Sequence, residues 1–209
     1  MKITRIGGVV AALSLLVATQ ASAISLSVDL PMQFNYKDAS TITVPAATTQ
    51  PYLLDSQAGK NVGGFILGVR PFSTWWGVGY ESWESTGRSL QKAAPVPANA
   101  WIDTTSKFTI VDVFAQIPVK MFVFTVGYGS GTASFAYKDV GGGTGTVATT
   151  PVSQLFATAG VAFGPSFDVH IGYHSVMAED KTDTTTAAPN TLAWKTSGDL
   201  LTLGFRVGM

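Results

Sequence analysis

The chain reads as an all-β protein: one eight-stranded antiparallel up-and-down transmembrane β-barrel, with short turns at one end and long loops at the other. Three observations predict it. Eight runs alternate in polarity, the connections between them alternate strictly between tight and long, and after the first residues no apolar run is long enough for a spanning helix.

At the start of the chain, Lys2 and Arg5 precede an apolar stretch from Gly7 to Val17 and a small-residue exit at Ala21-Ser22-Ala23. These are the parts of a cleavable secretory signal, and the stretch is shorter than the roughly 20 residues a spanning helix needs. Residues 1–23 are therefore read as a signal peptide and 24–209 as one barrel domain. Without Lys2 and Arg5 the domain keeps 11 basic against 13 acidic residues, a net charge of about −2. That balance offers nothing to a polyanion and disfavours nucleic acid as a partner. Cysteine is absent, which excludes a disulfide framework, a thiol nucleophile and a lipid-bearing cysteine. With 46% hydrophobic and only 12% charged residues, apolar surface must be spread residue by residue along strands.

Alternation is clearest in the first run, where Ile24, Leu26, Val28, Leu30, Met32, Phe34 and Tyr36 interleave with Ser25, Ser27, Asp29, Pro31, Gln33 and Asn35. Alternation alone does not choose between a soluble sandwich and a barrel facing lipid. Further runs span residues 61–70, 72–83, 107–117, 120–129, 153–163, 166–177 and 199–209. Tight proline turns at Arg70-Pro71-Phe72, Ile117-Pro118-Val119 and Gly164-Pro165 join strands two and three, four and five, and six and seven. The other connections are about 20 residues each and rich in Thr, Ala, Gly and Pro, and this alternation favours the barrel. After a secretory signal, the tight turns belong in the periplasm and the long loops outside.

A repeat supports the same arrangement. Val78-Gly79-Tyr80, Val126-Gly127-Tyr128 and Ile171-Gly172-Tyr173 share a motif, and Phe34-Asn35-Tyr36 is a weaker relative; their tyrosines are 44, 48 and 45 residues apart. Such spacing makes each repeat a hairpin plus its loop, as in a ring of hairpins or the blades of a propeller. Parity puts Tyr36, Tyr80, Tyr128 and Tyr173 on the apolar face at the loop end, as an aromatic girdle. Phe72, Phe122, Phe163, Phe167 and Phe205 form its counterpart at the turn end. The inward Gly79, Gly127 and Gly172 leave room for bulky side chains from across the bore.

The last run carries Thr202, Gly204, Phe205, Val207 and Met209 in the pattern polar, any, Gly, two of any kind, then alternating hydrophobics. It is similar to the C-terminal insertion signal of outer-membrane barrels, departing from it in a terminal Met where an aromatic residue is usual. With the eight strands, the whole of residues 24–209 resembles the small outer-membrane barrels: the membrane domain of outer membrane protein A, OmpX and OmpW. The resemblance implies the bacterial outer membrane as location, its lipid and lipopolysaccharide as surroundings, and the secretion and barrel-assembly machinery as partners during biogenesis. It names no cofactor and no ligand for the loops.

Eight strands enclose a bore that side chains can fill. By parity its polar network comprises Asp29, Arg70, Glu81, Asp112, Asp168, His170, His174 and Arg206, whose opposite charges are expected to pair. Asp168, His170 and His174 share one face of the seventh strand, an arrangement that suits a general base. Residues four apart on a strand lie roughly 13 Å apart, too far for the two histidines to share a metal. Barrel enzymes that trim lipid A, such as the PagL deacylase, place a Ser two positions from a His on one face; here Gly172 holds that place after His170, and Ser175 lies opposite His174. Gly141 to Gly145 lacks the Gly-Lys-Thr or Gly-Lys-Ser ending of a phosphate-binding loop. Finally, Val62, Trp83, Phe108, Ile110 and Phe156 point inward near the loop end. That is an apolar upper bore, suited either to a packed plug or, as the OmpW resemblance implies, to a small hydrophobic ligand. A one-residue bulge in the fourth strand would turn Phe108 and Ile110 out to lipid.

The expected protein is thus a non-enzymatic barrel serving envelope integrity or surface interaction. A conduit for small apolar molecules and a lipid-modifying enzyme are the alternatives.

Overall fold

In the computed structural model of the chain, the described residues are 24–37, 40–43, 52–54, 61–71, 75–90, 101–139, 144–164, 166–183 and 191–208. Residues 1–23, Phe72 and Met209 lie outside them, as do Gly141 to Gly143 and Pro165.

Twelve strands follow in order: β1 (Ser25–Tyr36), β2 (Ser40–Thr43), β3 (Tyr52–Leu54), β4 (Asn61–Arg70), β5 (Trp76–Leu90), β6 (Trp101–Val119), β7 (Phe122–Asp139), β8 (Thr144–Ala162), β9 (Phe167–Ala178), β10 (Lys181–Asp183), β11 (Thr191–Trp194) and β12 (Gly198–Gly208). Eight of them close a barrel in the order β1-β12-β9-β8-β7-β6-β5-β4, each antiparallel to its neighbours. Closure pairs the edges that an open sheet would expose, which a structure in hydrocarbon requires. The outward face is oily where it meets lipid. Val111, Val113, Ile117, Leu155 and Ile171 are all more than half exposed, at positions alternating with buried ones.

The barrel differs from the sequence expectation in four ways. The connections after β5 and β7 are shorter than expected, because their Ser- and Thr-rich flanks continue the strands. Ser85 pairs with Ser106 and Lys138 with Thr144. Polar residues that resemble a loop are paired strands here, since above the bilayer both faces of a ribbon can meet water and Thr suits the pleat. The first and last long connections contain strands too, forming a four-stranded sheet in the order β10-β11-β2-β3. The β6–β7 turn is Lys120-Met121 rather than a proline turn: Pro118 still faces Val123 and Val119 faces Phe122. Lys120 takes the left-handed φ of 55° that such two-residue hairpin turns demand. Likewise β5 begins at Trp76 rather than at Phe72.

The fourth difference lies in β1. Pro31 pairs with Thr202 but Gln33 with Leu201, so Met32 is an extra residue. Proline supplies no N–H to the ladder, and a bulge reverses the facing of everything beyond it. Met32 and Gln33 both point out, while Phe34 is fully buried inside the barrel. Tyr36 turns inward with it, so the girdle expected from four tyrosines loses this member. Tyr80, Tyr128 and Tyr173 face outward. Just above them the outward positions become polar: Ser82 and Glu84, Ser130 and Thr132, Ser175. At the turn end Phe122, Phe163, Phe167 and Phe205 are exposed, joined by Trp75 and Trp76.

Candidate functional site

Among the described residues the barrel interior gathers the buried charged side chains, and it is organised in layers. In the half nearer the turns, β9 presents Asp168 and His170 two residues apart, and β1 presents Asp29 across the intervening β12. His170 Nδ1 lies 2.9 Å from Asp168 Oδ1, and His170 Nε2 lies 2.8 Å from Asp29 Oδ1. Arg206 of β12 places Nη1 3.5 Å from Asp168 Oδ2 and donates from Nη2 to Thr125 Oγ1 at 3.2 Å. Both His170 nitrogens face carboxylate oxygens, and each hydrogen bond needs one proton. Two protons therefore lie along the Asp29–His170–Asp168 line, giving those three groups one net negative charge, which Arg206 balances. All four side chains are more than nine-tenths buried, and only such mutual neutralisation makes buried charge tolerable.

A second cluster lies nearer the loops. Gln154 Nε2 of β8 donates to Glu81 Oε1 of β5 at 2.7 Å and to Asp112 Oδ1 of β6 at 2.8 Å. The Trp83 indole donates to Glu81 Oε2 at 3.0 Å. His174 Nδ1 stands 3.2 Å from Glu81 Oε1, with its ring stacked on Phe156 at 4.9 Å.

Glycines make both clusters possible. Gly204 separates Asp29 from His170 in the sheet, and a Cβ there would collide with the oxygen and nitrogen that bond across it. Gly129, between Asp112 and Gln154, serves the same purpose: a Cβ would meet Asp112 Oδ1 and come within 3.0 Å of Gln154 Cγ. The side chains that use these gaps come from adjacent strands rather than from across the bore. Phe156 covers Gly127, and Asp112 lies beside Gly79.

Above the second cluster the bore is closed by Phe34, Trp83, Phe108, Ile110, Ile66, Val176 and Leu200, all buried. Trp83 stacks on Phe108 with ring centroids 4.0 Å apart, and Phe34 packs on both, at 5.1 and 5.4 Å. The inward Tyr36 meets Phe34 edge-on and donates to Ser106 Oγ at 2.8 Å.

The expected polar set thus divides in two, with Arg70 outside both clusters: half-buried, it donates to Ser25 Oγ at 3.1 Å. Of the expected apolar set, Trp83, Phe108 and Ile110 lie in the plug and Val62 packs at its edge, whereas Phe156 lies lower, against His174. The β5–β6 and β6–β7 registers run without a break, so no bulge turns Phe108 or Ile110 outward. In β12, Thr202 and Gly204 face the bore and Phe205 faces out. Sequence reasoning missed Gln154, the residue that joins two carboxylates. It shares the inward parity of Phe156, and counting neutral amides among the inward residues would have found it. Phe34 and Tyr36 were missed because the bulge at Met32 leaves no periodic trace. Among the described residues, no cluster of three His, Asp or Glu side chains is arranged to hold a metal.

No family model matches the chain, and no curated protein matches it by sequence. Solved structures do. OprG, an outer membrane protein of Pseudomonas aeruginosa, aligns over 90% of this chain and 96% of its own, with a TM-score of 0.58 at 9% identity. This chain folds as an outer-membrane β-barrel. The outer membrane protease OmpT of Escherichia coli aligns over 92% of this chain and 99% of its own, with a TM-score of 0.55 at 8% identity. Neisserial surface protein A covers 91% and 100%, with a TM-score of 0.50 at 11% identity. At these identities the likeness concerns the fold alone, and since one neighbour is a protease, the barrel by itself does not decide between catalysis and its absence.

Proposed function

We propose that this outer-membrane barrel is closed to solutes and works through its surface, serving envelope integrity or surface interaction without catalysing a reaction. The observation that carries this reading is the aromatic plug: Phe34, Trp83 and Phe108 pack across a bore whose remaining width is taken up by two hydrogen-bonded charge clusters. The partners in this reading are outer-membrane lipid and lipopolysaccharide around the belt. During biogenesis they are the secretion and barrel-assembly machinery, which would read Thr202, Gly204, Phe205, Val207 and Met209. Purified protein in planar bilayers should give no discrete conductance steps; reproducible steps would remove the proposal. His170→Ala and His174→Ala should leave lipid A unchanged in expressing cells, and altered acylation in wild type that vanishes in either variant would install an enzyme instead.

One observation favours a second reading, a conduit or binding barrel for small hydrophobic molecules. The β1–β4 ladder has only five rungs, from Ser25–Arg70 to Asp29–Ile66, against nine between β4 and β5 and eleven between β1 and β12. Beyond it, among the described residues, Leu30–Tyr36 and Asn61–Phe65 do not pair with each other, and Phe34, Val62 and Ile66 of the plug stand beside that stretch. Uptake of a small apolar solute by barrel-containing liposomes, in the absence of ionic conductance, would favour this reading over the closed one.

A further inference from the structure

Between the two charge clusters lies a cavity of about 30 Å³, whose wall includes Asp29, Asp112, Thr158, His170, His174 and Arg206. Gly172 of β9 lies beside it, flanked in the sheet by Thr158 of β8 and Thr202 of β12. This is the third instance of one device. At Gly204 and at Gly129 the two flanking side chains reach over the glycine and bond to each other. At Gly172 the flanking side chains are threonines, too short to do so. Thr158 Oγ1 and Thr202 Oγ1 have no partner in the protein, nor has Nε2 of His174, and all three side chains are more than nine-tenths buried. Two of these atoms and the methyl group of the third residue meet over the glycine: a Cβ on Gly172 would collide with Thr202 Oγ1, stand 3.4 Å from His174 Nε2 and touch Thr158 Cγ2 at 3.3 Å.

Buried hydroxyls and imidazole nitrogens left without partners are destabilising, because the hydrogen bonds they made to water are lost and not replaced. A buried water usually satisfies about three such groups and needs only about 10–15 Å³ of this kind of volume. We infer that Gly172 forms the floor of a structural water site, in which one water molecule bonds His174 Nε2, Thr158 Oγ1 and Thr202 Oγ1. The site extends the second cluster by a link, from Glu81 through His174 and the water to Thr202, and so ties one more strand, β12, into it. It also gives His174 Nε2 a partner, while Nδ1 stands 3.2 Å from Glu81 Oε1 outside hydrogen-bond geometry. The cavity has room for roughly one water more on the side of His170.

The test is water-selective nuclear Overhauser spectroscopy on isotope-labelled barrel refolded in detergent. Cross-peaks from a long-lived water to the His174 ring and the Gly172 amide are expected in the wild type. They should vanish in Gly172→Ala, whose methyl takes the space, while the His170 ring signals persist as an internal control. Should Gly172→Ala fail to fold, the double variant Thr158→Val, Thr202→Val carries the test: it leaves the room but removes two of three partners, and the cross-peaks must again be lost. Their absence from folded wild type would overturn the inference, as would their survival in any of these variants.

Discussion

Gly204→Ala is the substitution that probes the interior most sharply. It adds one methyl group and removes no interaction of its own. The added Cβ would collide with both Asp29 Oδ1 and His170 Nε2, which bond over the glycine. Either the pair separates or β12 shifts away from β1 and β9, with which it forms eleven and ten rungs. Separation is the easier outcome, and it leaves a buried carboxylate facing a ring that keeps only Asp168. Breaking a buried pair in this way costs about 3–5 kcal/mol. With a slope of roughly 1–3 kcal/mol per molar urea, the unfolding midpoint should fall by roughly 1–5 M. Urea titration of protein refolded in detergent, followed by tryptophan fluorescence and by the heat-dependent shift in gel mobility, measures this without the cell's assembly machinery. Asp29→Asn should give a loss of similar size, and the two substitutions combined should cost little more than either alone, since both act on one bond. A midpoint for Gly204→Ala within 0.3 M of wild type, an interval of at most ~1 kcal/mol, would refute the account of the glycine gap.

Other perturbations test other layers. Phe108→Ala should destabilise the barrel by about 3–5 kcal/mol in the same titration, and Trp83→Ala with Phe108→Ala should admit ions in planar bilayers where wild type does not. Ile171→Arg on the lipid face should cost roughly 2–4 kcal/mol in lipid vesicles, whereas Thr132→Arg, outward but above the tyrosines, should be nearly neutral; equal costs would contradict the placement of the belt. Lys120→Gly should raise stability by about 1 kcal/mol in urea, because the left-handed φ of 55° is strained for any residue with a Cβ.

Much of this architecture is legible in the residues because lipid imposes a simple rule on the outer face. Val111, Val113 and Ile171 each stand between two inward residues, and that alternation is sufficient to count strands and assign faces. It placed both histidines, all four carboxylates and Arg206 inside, but could not pair them. Partnership depends on stagger between strands, and nothing in a single run indicates that Gln154 lies level with Asp112. Two kinds of local chemistry carried no warning. Met32 interrupts the period by one residue amid unbroken alternation, which moved Phe34 and Tyr36 into the plug. The Ser- and Thr-rich stretches around residues 84–90, 101–106 and 144–150 have loop composition because water, not oil, lies on their outer side. Composition there reports the solvent, and the strand continues regardless.

That continuation leaves the rim uneven. On β6 the last exposed apolar residue among the described side chains is Val111, and the strand runs ten residues further, to Trp101; at about 3.3 Å per residue and a tilt of about 40° that length spans ~25 Å along the barrel axis. On the opposite flank β9 ends at Ala178 and β12 begins at Gly198, and the four-stranded sheet takes over there, β10 starting at Lys181 and β11 ending at Trp194. The rim is therefore made in two ways, as a direct prolongation of the barrel wall on one side and as a separately paired sheet on the other. A strain in the wall passes straight up β6 and β7, whereas on the far side it must cross a break in the ladder.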